Sequence, residues 1–294
     1  MEFMTWMNQN LKIVDHYLEK ILPEPLSRQQ QLYQSMRYSL LSGGKRIRPL
    51  LMLASYELFQ KDSTPILPYA AAVEMIHAYS LIHDDLPAMD NDDFRRGKPT
   101  NHKVYGEAMA ILAGDALLNK AVEIILDSRS TSHFSDATIL DCLSVLMTAS
   151  GSQGMIGGQV VDMFVQEKSQ DYLEHMHRLK TGALIQASCE IGAIAGQGSH
   201  EEIKAVKEYA RLLGLAFQVK DDILDYTSTE EVLGKPIGSD EKNNKLTYVS
   251  LLGLEASNHL LNQYTQEAIA HLSVFQEKKT RLLEIADYLL KRTK

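Results

Sequence analysis

Residues 70–83, AAAVEMIHAYSLIH, are too apolar for a helix lying on a surface, and they run directly into Asp84 and Asp85, with Asp90, Asp92 and Asp93 close behind. A helix that is apolar on every side has to be covered by other elements. Any fold open to this chain therefore buries this helix and brings a set of carboxylates to its mouth. A lone pair of aspartates is ordinarily a solvated turn, but here the acids sit at the end of a buried element, where charge density is costly unless solvent or cations neutralise it.

The rest of the chain is also helical in pattern. Ser27 and Gln30 have capping-box spacing, and Leu32, Met36, Leu40 and Leu41 then recur at helical intervals until Gly43-Gly44 stops them. Pro49 suits the first turn of a helix running to Leu58, and Pro68 opens the apolar run to His83. Further helices are expected at about 114–127, 135–150, 170–194, 200–226, 246–271 and 275–290. No stretch shows sustained β-branched alternation, so no sheet is expected. Residues 86–104 and 227–245 read as irregular, and long loops in a helical domain are usually functional or disordered. With no internal repeat and no low-complexity linker, the expectation is one all-α domain over residues 1–294.

A second acid cluster, DDILD, supplies Asp221, Asp222 and Asp225. Together with Gln218 they fall at i, i+3, i+4 and i+7, one face of one helix among apolar neighbours. Repelling carboxylates on such a face call for a cation. Oxygen-only donors suit Mg²⁺, which keeps several waters and shares its coordination with substrate phosphates.

A phosphorylated substrate needs a basic counterpart. GGKRIRP places Lys45, Arg46 and Arg48 between a helix stop and a helix start, and RRGKPTNH places Arg95, Arg96 and Lys98 just after the first acids. Helix N-termini and forked guanidiniums both grip phosphate. His77 lies seven residues before Asp84, on the same helix face. Read alone it is a satisfied core histidine, and beside the acids it becomes a phosphate donor. Lys180-Thr181-Gly182 interrupts an apolar helix, where either Lys180 and Thr181 donate to a second phosphate or Gly182 merely permits close helix packing. Lys235 and Lys245 stand in the second irregular segment, where a lid would close. Gly154, Gly157 and Gly158 read as sites of close helix crossing, since no strand precedes them.

The net charge of −8 excludes a general nucleic-acid coat and simple docking on an anionic membrane. Cys142 and Cys189 are far apart, which gives no disulfide framework or zinc knot. The opening MEFMTWMNQN has neither a basic nor an apolar signal region, and no run approaches the roughly 18 to 20 apolar residues of a membrane span. A cytoplasmic protein without stable membrane insertion is expected. No P-loop and no Ser/His/Asp or Cys/His arrangement appears.

Taken in order and spacing, GGKRIRP, IHAYSLIHDDLPAMDNDDFRRGKPTNH, LKTG, FQVKDDILD and GKPIGSDEKNNKLTY closely resemble the trans-isoprenyl diphosphate synthases, nearest to their bacterial farnesyl diphosphate synthase branch. The resemblance spans essentially the whole chain. It implies an isoprenoid synthase fold of about ten or more helices around a central cavity, a homodimer, and three Mg²⁺ held between the aspartate motifs and an allylic diphosphate. Carried over by position, Asp84, Asp85 and Asp90 resemble the first metal motif, and Asp221 and Asp225 the second, with Asp222 in the motif but less directly tied to metal. Lys45, Arg48, His77 and Arg96 resemble the isopentenyl diphosphate site. Arg95, Lys180, Thr181, Gln218 and Lys235 resemble the allylic diphosphate site, with Lys245 a weaker match. The implied catalytic set is Asp84, Asp85, Asp90, Asp221, Lys180 and Lys235.

Tyr79 lies five residues before Asp84, more than a turn deeper, where its ring would block the floor of the pocket. In the resembled family an aromatic residue at that place goes with short products, and the four-residue spacer Leu86–Met89 fits the bacterial short-chain branch. A C15 product is expected, with C20 as the same-class alternative. Two other readings are an all-α metal phosphohydrolase built on the His83-Asp84 dipeptide, which leaves DDILD unexplained, and a non-catalytic synthase subunit, which the two intact motifs disfavour.

Overall fold

The computed structural model of the chain describes residues 1–23, 28–130, 133–227 and 246–292. Ser27, Lys235 and Lys245, and the expected lid segment with them, lie outside the described residues. Contacts group the chain into two compact units, Met1–Leu53 with Lys61–Leu143, and Ala54–Gln60 with Ser144–Lys294.

The first unit holds α1 (Phe3–Ile21), α2 (Gln30–Leu40), most of α3 (Ile47–Tyr56), α4 (Leu67–Asp84), α5 (Asn101–Tyr105), α6 (Glu107–Asp127) and the start of α7 (Asp136–Ser150). The apolar run is α4, and 13 of its 18 residues are buried, which makes it the central element of the unit. Its largest partner is α6, which turns Ala110, Ala113, Gly114, Leu117 and Ala121 toward the interior at helical spacing. Small side chains let the two backbones approach closely, while α1 and α2 cover other sides of α4. Residues 3–21, which the sequence reading did not single out, form α1, with Trp6, Met7, Val14 and Leu18 making one buried stripe.

The expectation of no sheet is corrected on a small scale. Phe94–Arg95 and Lys98–Pro99 pair as an antiparallel hairpin, β1 and β2. Arg96 and Gly97 take φ of 53° and 73°, the two positive values that a primed two-residue hairpin turn requires. A hairpin of two-residue strands carries no alternation for periodicity to detect.

The second unit contains the end of α7, α8 (Met155–Met163), α9 (Gln170–His177), a π-helical turn (Arg178–Gly182), α10 (Ala183–Ala195), α11 (His200–Thr227), α12 (Tyr248–Leu252), α13 (Leu254–His271), a 3₁₀ segment (Leu272–Lys279) and α14 (Thr280–Lys291). The long helix α11 packs chiefly on α13 and α10, and the Tyr209 hydroxyl donates to the Leu282 carbonyl at 2.7 Å. Two helices expected to be continuous are broken. The one over 170–194 carries the π turn, and the one over 246–271 is interrupted at Gly253, whose φ is 80°. The close-crossing reading of Gly158 holds: a Cβ there would stand 2.2 Å from the Lys180 backbone nitrogen.

One membrane expectation needs amending. Asp136–Met163 reaches a mean hydropathy of 1.2 over an 18-residue window, long and apolar enough to span by length and composition. The backbone divides it into α7 and α8 across residues 151–154, so its ladder is not continuous through a bilayer thickness.

Candidate active site

In the first unit the acid motif begins at the last residue of α4 and turns back on itself. Asp90 N–H donates to the Asp84 carbonyl at 2.8 Å, Met89 and Asn91 donate to the Leu86 carbonyl, and Asn91 adopts a φ of 53°. The four-residue spacer is thus a closed turn that sets the third acid beside the first. Asp84 is half-buried and Asp90 exposed. Asp85 is buried, gripped by Arg95 through Nε at 2.8 and 3.0 Å and through the terminal nitrogen at 2.6 Å. Burial raises the Asp85 carboxyl above its ordinary range, and Arg95 works against that shift. Two sequence-predicted residues assigned to different partners, a metal and a diphosphate, therefore face each other here.

Arg96 is held by loop geometry. Its guanidinium donates to the Gly43 carbonyl, and a Cβ on Gly44 would come within 2.8 Å of the same group. Gly44 has a φ of 131°, so this glycine serves both the helix stop and the arginine's approach. The hairpin carrying Arg95 and Arg96 is fastened to α2 by Tyr38, which donates to the Pro99 carbonyl at 2.8 Å, and by Asn101, which bonds Ser35 and Ser39.

His77, Arg95, Arg96, Asp85 and Lys98 line one cavity with Arg46 and Glu74. Burial first, then the positive charges of Arg48, Arg96, Arg95 and Arg46, push His77 well below the ordinary histidine range. The ring is accordingly neutral near pH 7, with one donor and one acceptor nitrogen. Among the four guanidiniums around it, Arg46 has an internal task. It bonds Glu74 at 2.7 Å, Asp15 at 3.0 Å and the Leu40 carbonyl at 2.8 Å. Lys45 and Arg48 are half-buried neighbours in the same segment. Tyr79 is buried one turn below His83, and burial followed by the Asp84 charge pushes its phenol up to about 12, so it stays protonated.

In the second unit, Gln218, Asp221 and Asp225 share a face of α11. The Asp221 side chain is 41% exposed, and Arg292 bonds it at 2.6 Å. Asp225 is buried. Asp222 departs from the group: it is buried and accepts the Tyr248 N–H at 2.7 Å, which ties α12 to α11. On the π turn, Lys180 pairs with Asp162 of α8 at 2.6 Å, with 23% of its side chain exposed. Thr181 follows it, half-buried. The wider π turn re-aims Lys180 and Thr181 relative to a regular helix, a frequent device at functional sites.

Three residues were missed by sequence reasoning. Asp162 and Gln159 lie in the GGQVVD stretch of α8, and both amide atoms of Gln159 are buried without a hydrogen-bond partner. Asp162 carries no sequence signal that ties it to Lys180, because the approach of α8 to the π turn is long-range. Arg292 carries no local signal, because its contacts to Asp221, the Phe217 carbonyl and the Phe217 ring are all long-range. Among the described residues, no three His, Cys, Asp or Glu side chains converge closely enough to hold a metal by themselves.

Residues 29–286 match the polyprenyl synthetase family. Farnesyl diphosphate synthase of Geobacillus stearothermophilus is 46% identical over 269 residues, covering 91% of this chain and 90% of that protein. The heterodimeric geranylgeranyl pyrophosphate synthase large subunit 1 of Arabidopsis thaliana is 44% identical over 299 residues, covering 99% and 80%. Among solved structures, an FPP/GFPP synthase from Zymomonas mobilis superposes with a TM-score of 0.87 at 39% identity, covering 98% of each chain. Identity at this level along nearly the whole length makes the chain a prenyltransferase of the polyprenyl synthetase family.

Proposed function

We propose that the chain condenses isopentenyl diphosphate head-to-tail with dimethylallyl and then geranyl diphosphate, giving farnesyl diphosphate, and that both compact units make up one catalytic domain. The observation carrying this reading lies within the first unit. A cavity lined by His77, Arg95 and Arg96 adjoins a turn that sets Asp90 beside Asp84. Anion donors next to hard oxygen donors are what a metal-bound diphosphate needs.

Lys45, Arg48, His77 and Arg96 hold isopentenyl diphosphate in this proposal. Arg95, Lys180, Thr181, Gln218 and Lys235 hold the allylic diphosphate. Asp84, Asp85, Asp90, Asp221 and Asp225 are the candidate ligands for three Mg²⁺. The donor set fits: it is all carboxylate oxygen, and the lack of a closed three-ligand group among the described residues suits an ion whose shell is completed by diphosphate oxygens and water. Mg²⁺ when bound would supply neutralisation of charge on the leaving diphosphate.

In this proposal Arg95 and Lys180 each stabilise negative charge on the allylic diphosphate as its C–O bond breaks. The alkene of isopentenyl diphosphate attacks the resulting cation and forms the new C–C bond; the carbon next to the cationic centre so created then loses a proton to the departing diphosphate, and its C–H electrons become the new double bond. The proton acceptor is thus the product itself, and no general base is required of the protein. Tyr79 supports a C15 product. The printed names of the relatives include both farnesyl and geranylgeranyl synthases, so C20 is the second reading.

With isopentenyl and geranyl diphosphate, diphosphate release is expected to require Mg²⁺ and to stop on chelation. Release that persists in excess chelator would contradict this account, and phosphate release from nucleotides instead would favour the phosphohydrolase.

A homodimer belongs to the same proposal. Helix α6 exposes Ile111, Leu112 and Leu126 on the side away from α4, and apolar exposure of this kind marks interaction surfaces. Light scattering is expected to give about twice the 33.0 kDa chain mass. A monomer at micromolar concentration rules the dimer out. The cytoplasmic location expected from the sequence is likewise proposed, with cell fractionation as its test.

A further inference from the structure

The floor residue has a neighbour that the sequence marked only as half of the His83-Asp84 dipeptide. Tyr79 and His83 stand one turn apart on α4, and their rings meet edge to face at 5.7 Å and 73°. The Tyr79 hydroxyl is buried without a hydrogen-bond partner, so the phenol is held in place by packing alone. His83 is tethered. Its Nε2 lies 3.1 Å from the Ile111 carbonyl of α6, and a carbonyl only accepts, so that nitrogen carries the proton. Asp115 Oδ1 lies 4.0 Å from the same atom.

The ring reaches α6 only because residue 114 is glycine. A Cβ on Gly114 would stand 2.1 Å from His83 Nε2, 2.5 Å from Cδ2 and 2.8 Å from Cε1. The backbone of Gly114 is ordinary helix, so its lack of a side chain answers to the imidazole and not to a positive φ.

We infer that Gly114 and His83 form a latch between α6 and α4 that fixes the Tyr79 ring, making this pair a specificity-determining element for product length. The inference rests on Tyr79 being the pocket floor. Gly114→Ala drives the imidazole off α6 and removes the edge on which the phenol leans. With no hydrogen bond to restrain it, the ring yields to the growing chain. His83→Ala removes the same support without adding bulk, and it serves if the glycine variant folds poorly. Neither residue touches the diphosphates in the proposed reaction, so turnover is expected to change less than product distribution.

The test resolves the products of labelled isopentenyl diphosphate by chain length for parent, Tyr79→Ala, Gly114→Ala, His83→Ala and the Tyr79→Ala/Gly114→Ala double variant. The expected result is at least a fivefold rise in the share of products longer than the parent's main product for each single variant, with no further lengthening in the double. If Tyr79→Ala lengthens products while Gly114→Ala and His83→Ala lower turnover with an unchanged or shortened profile, the latch is ordinary packing and the inference is overturned. If Tyr79→Ala leaves the profile unchanged, the floor reading falls and the inference with it.

Discussion

Asp84→Ala and Asp221→Asn are each expected to lower kcat by about 10²–10³-fold, the cost of removing one preorganised stabiliser of transition-state charge, while leaving the fold intact. The structural grounds differ at the two sites. Asp84 holds its turn through a backbone carbonyl, which accepts from the Asp90 N–H and survives truncation of the side chain. Asp221 is 41% exposed, and asparagine keeps an oxygen for the buried Arg292. Circular dichroism and an unfolding midpoint near the parent's should accompany the lost turnover. Near-parental turnover in either variant would remove that cluster from the reaction. Asp222→Ala gives the contrasting outcome: it strips the acceptor from the buried Tyr248 N–H, so its main effect is expected on stability, at about 1–3 kcal/mol.

Arg46→Ala is expected to cost about 3–5 kcal/mol of folding stability, the range for removing one partner of a buried ion pair. The Arg46 and Glu74 side chains are 2% and 3% exposed and meet at 2.7 Å. Truncation leaves the Glu74 charge inside the unit with its strongest partner gone. The Leu40 carbonyl also loses its guanidinium donor. Replacing both members by apolar residues of similar volume, Arg46→Met with Glu74→Leu, should recover much of the loss, since no charge is then stranded. Denaturant unfolding of the parent, single and double variants measures this. A single-variant loss below about 1 kcal/mol would show that Glu74 finds other neutralisation.

How far the sequence reached is clearest at GGKRIRP. Composition and spacing placed three cations at a helix start, and the structure separates them by direction. Arg46 turns inward to Glu74 and Asp15, whereas Arg48 contributes to the positive field on His77. The choice depends on Glu74, which the sequence shows only as one acid in an apolar run. DDILD gives the same lesson. Helical spacing grouped Gln218, Asp221 and Asp225, but Asp222 was drawn away by the N–H of Tyr248, 26 residues on. Periodicity reports a helix's own faces and not what packs against them.

Elements long enough to repeat a pattern were legible, as α4 and α11 show. The two-residue strands, the π turn and the break at Gly253 were not, because each is too short to leave a period. Of the site, the residue types and their order were readable. The bond from Asp85 to Arg95, the pairing of Lys180 with Asp162 and the capture of Asp221 by Arg292 were not, since each joins segments distant in sequence.

Product analysis from a defined mixture tests the condensation itself. Purified chain is incubated with labelled isopentenyl diphosphate, Mg²⁺ and either dimethylallyl or geranyl diphosphate, and the products are resolved by chain length. Both primers are expected to be extended, with label accumulating in a C15 diphosphate. Absence of label in any extended product with either primer would contradict the condensation.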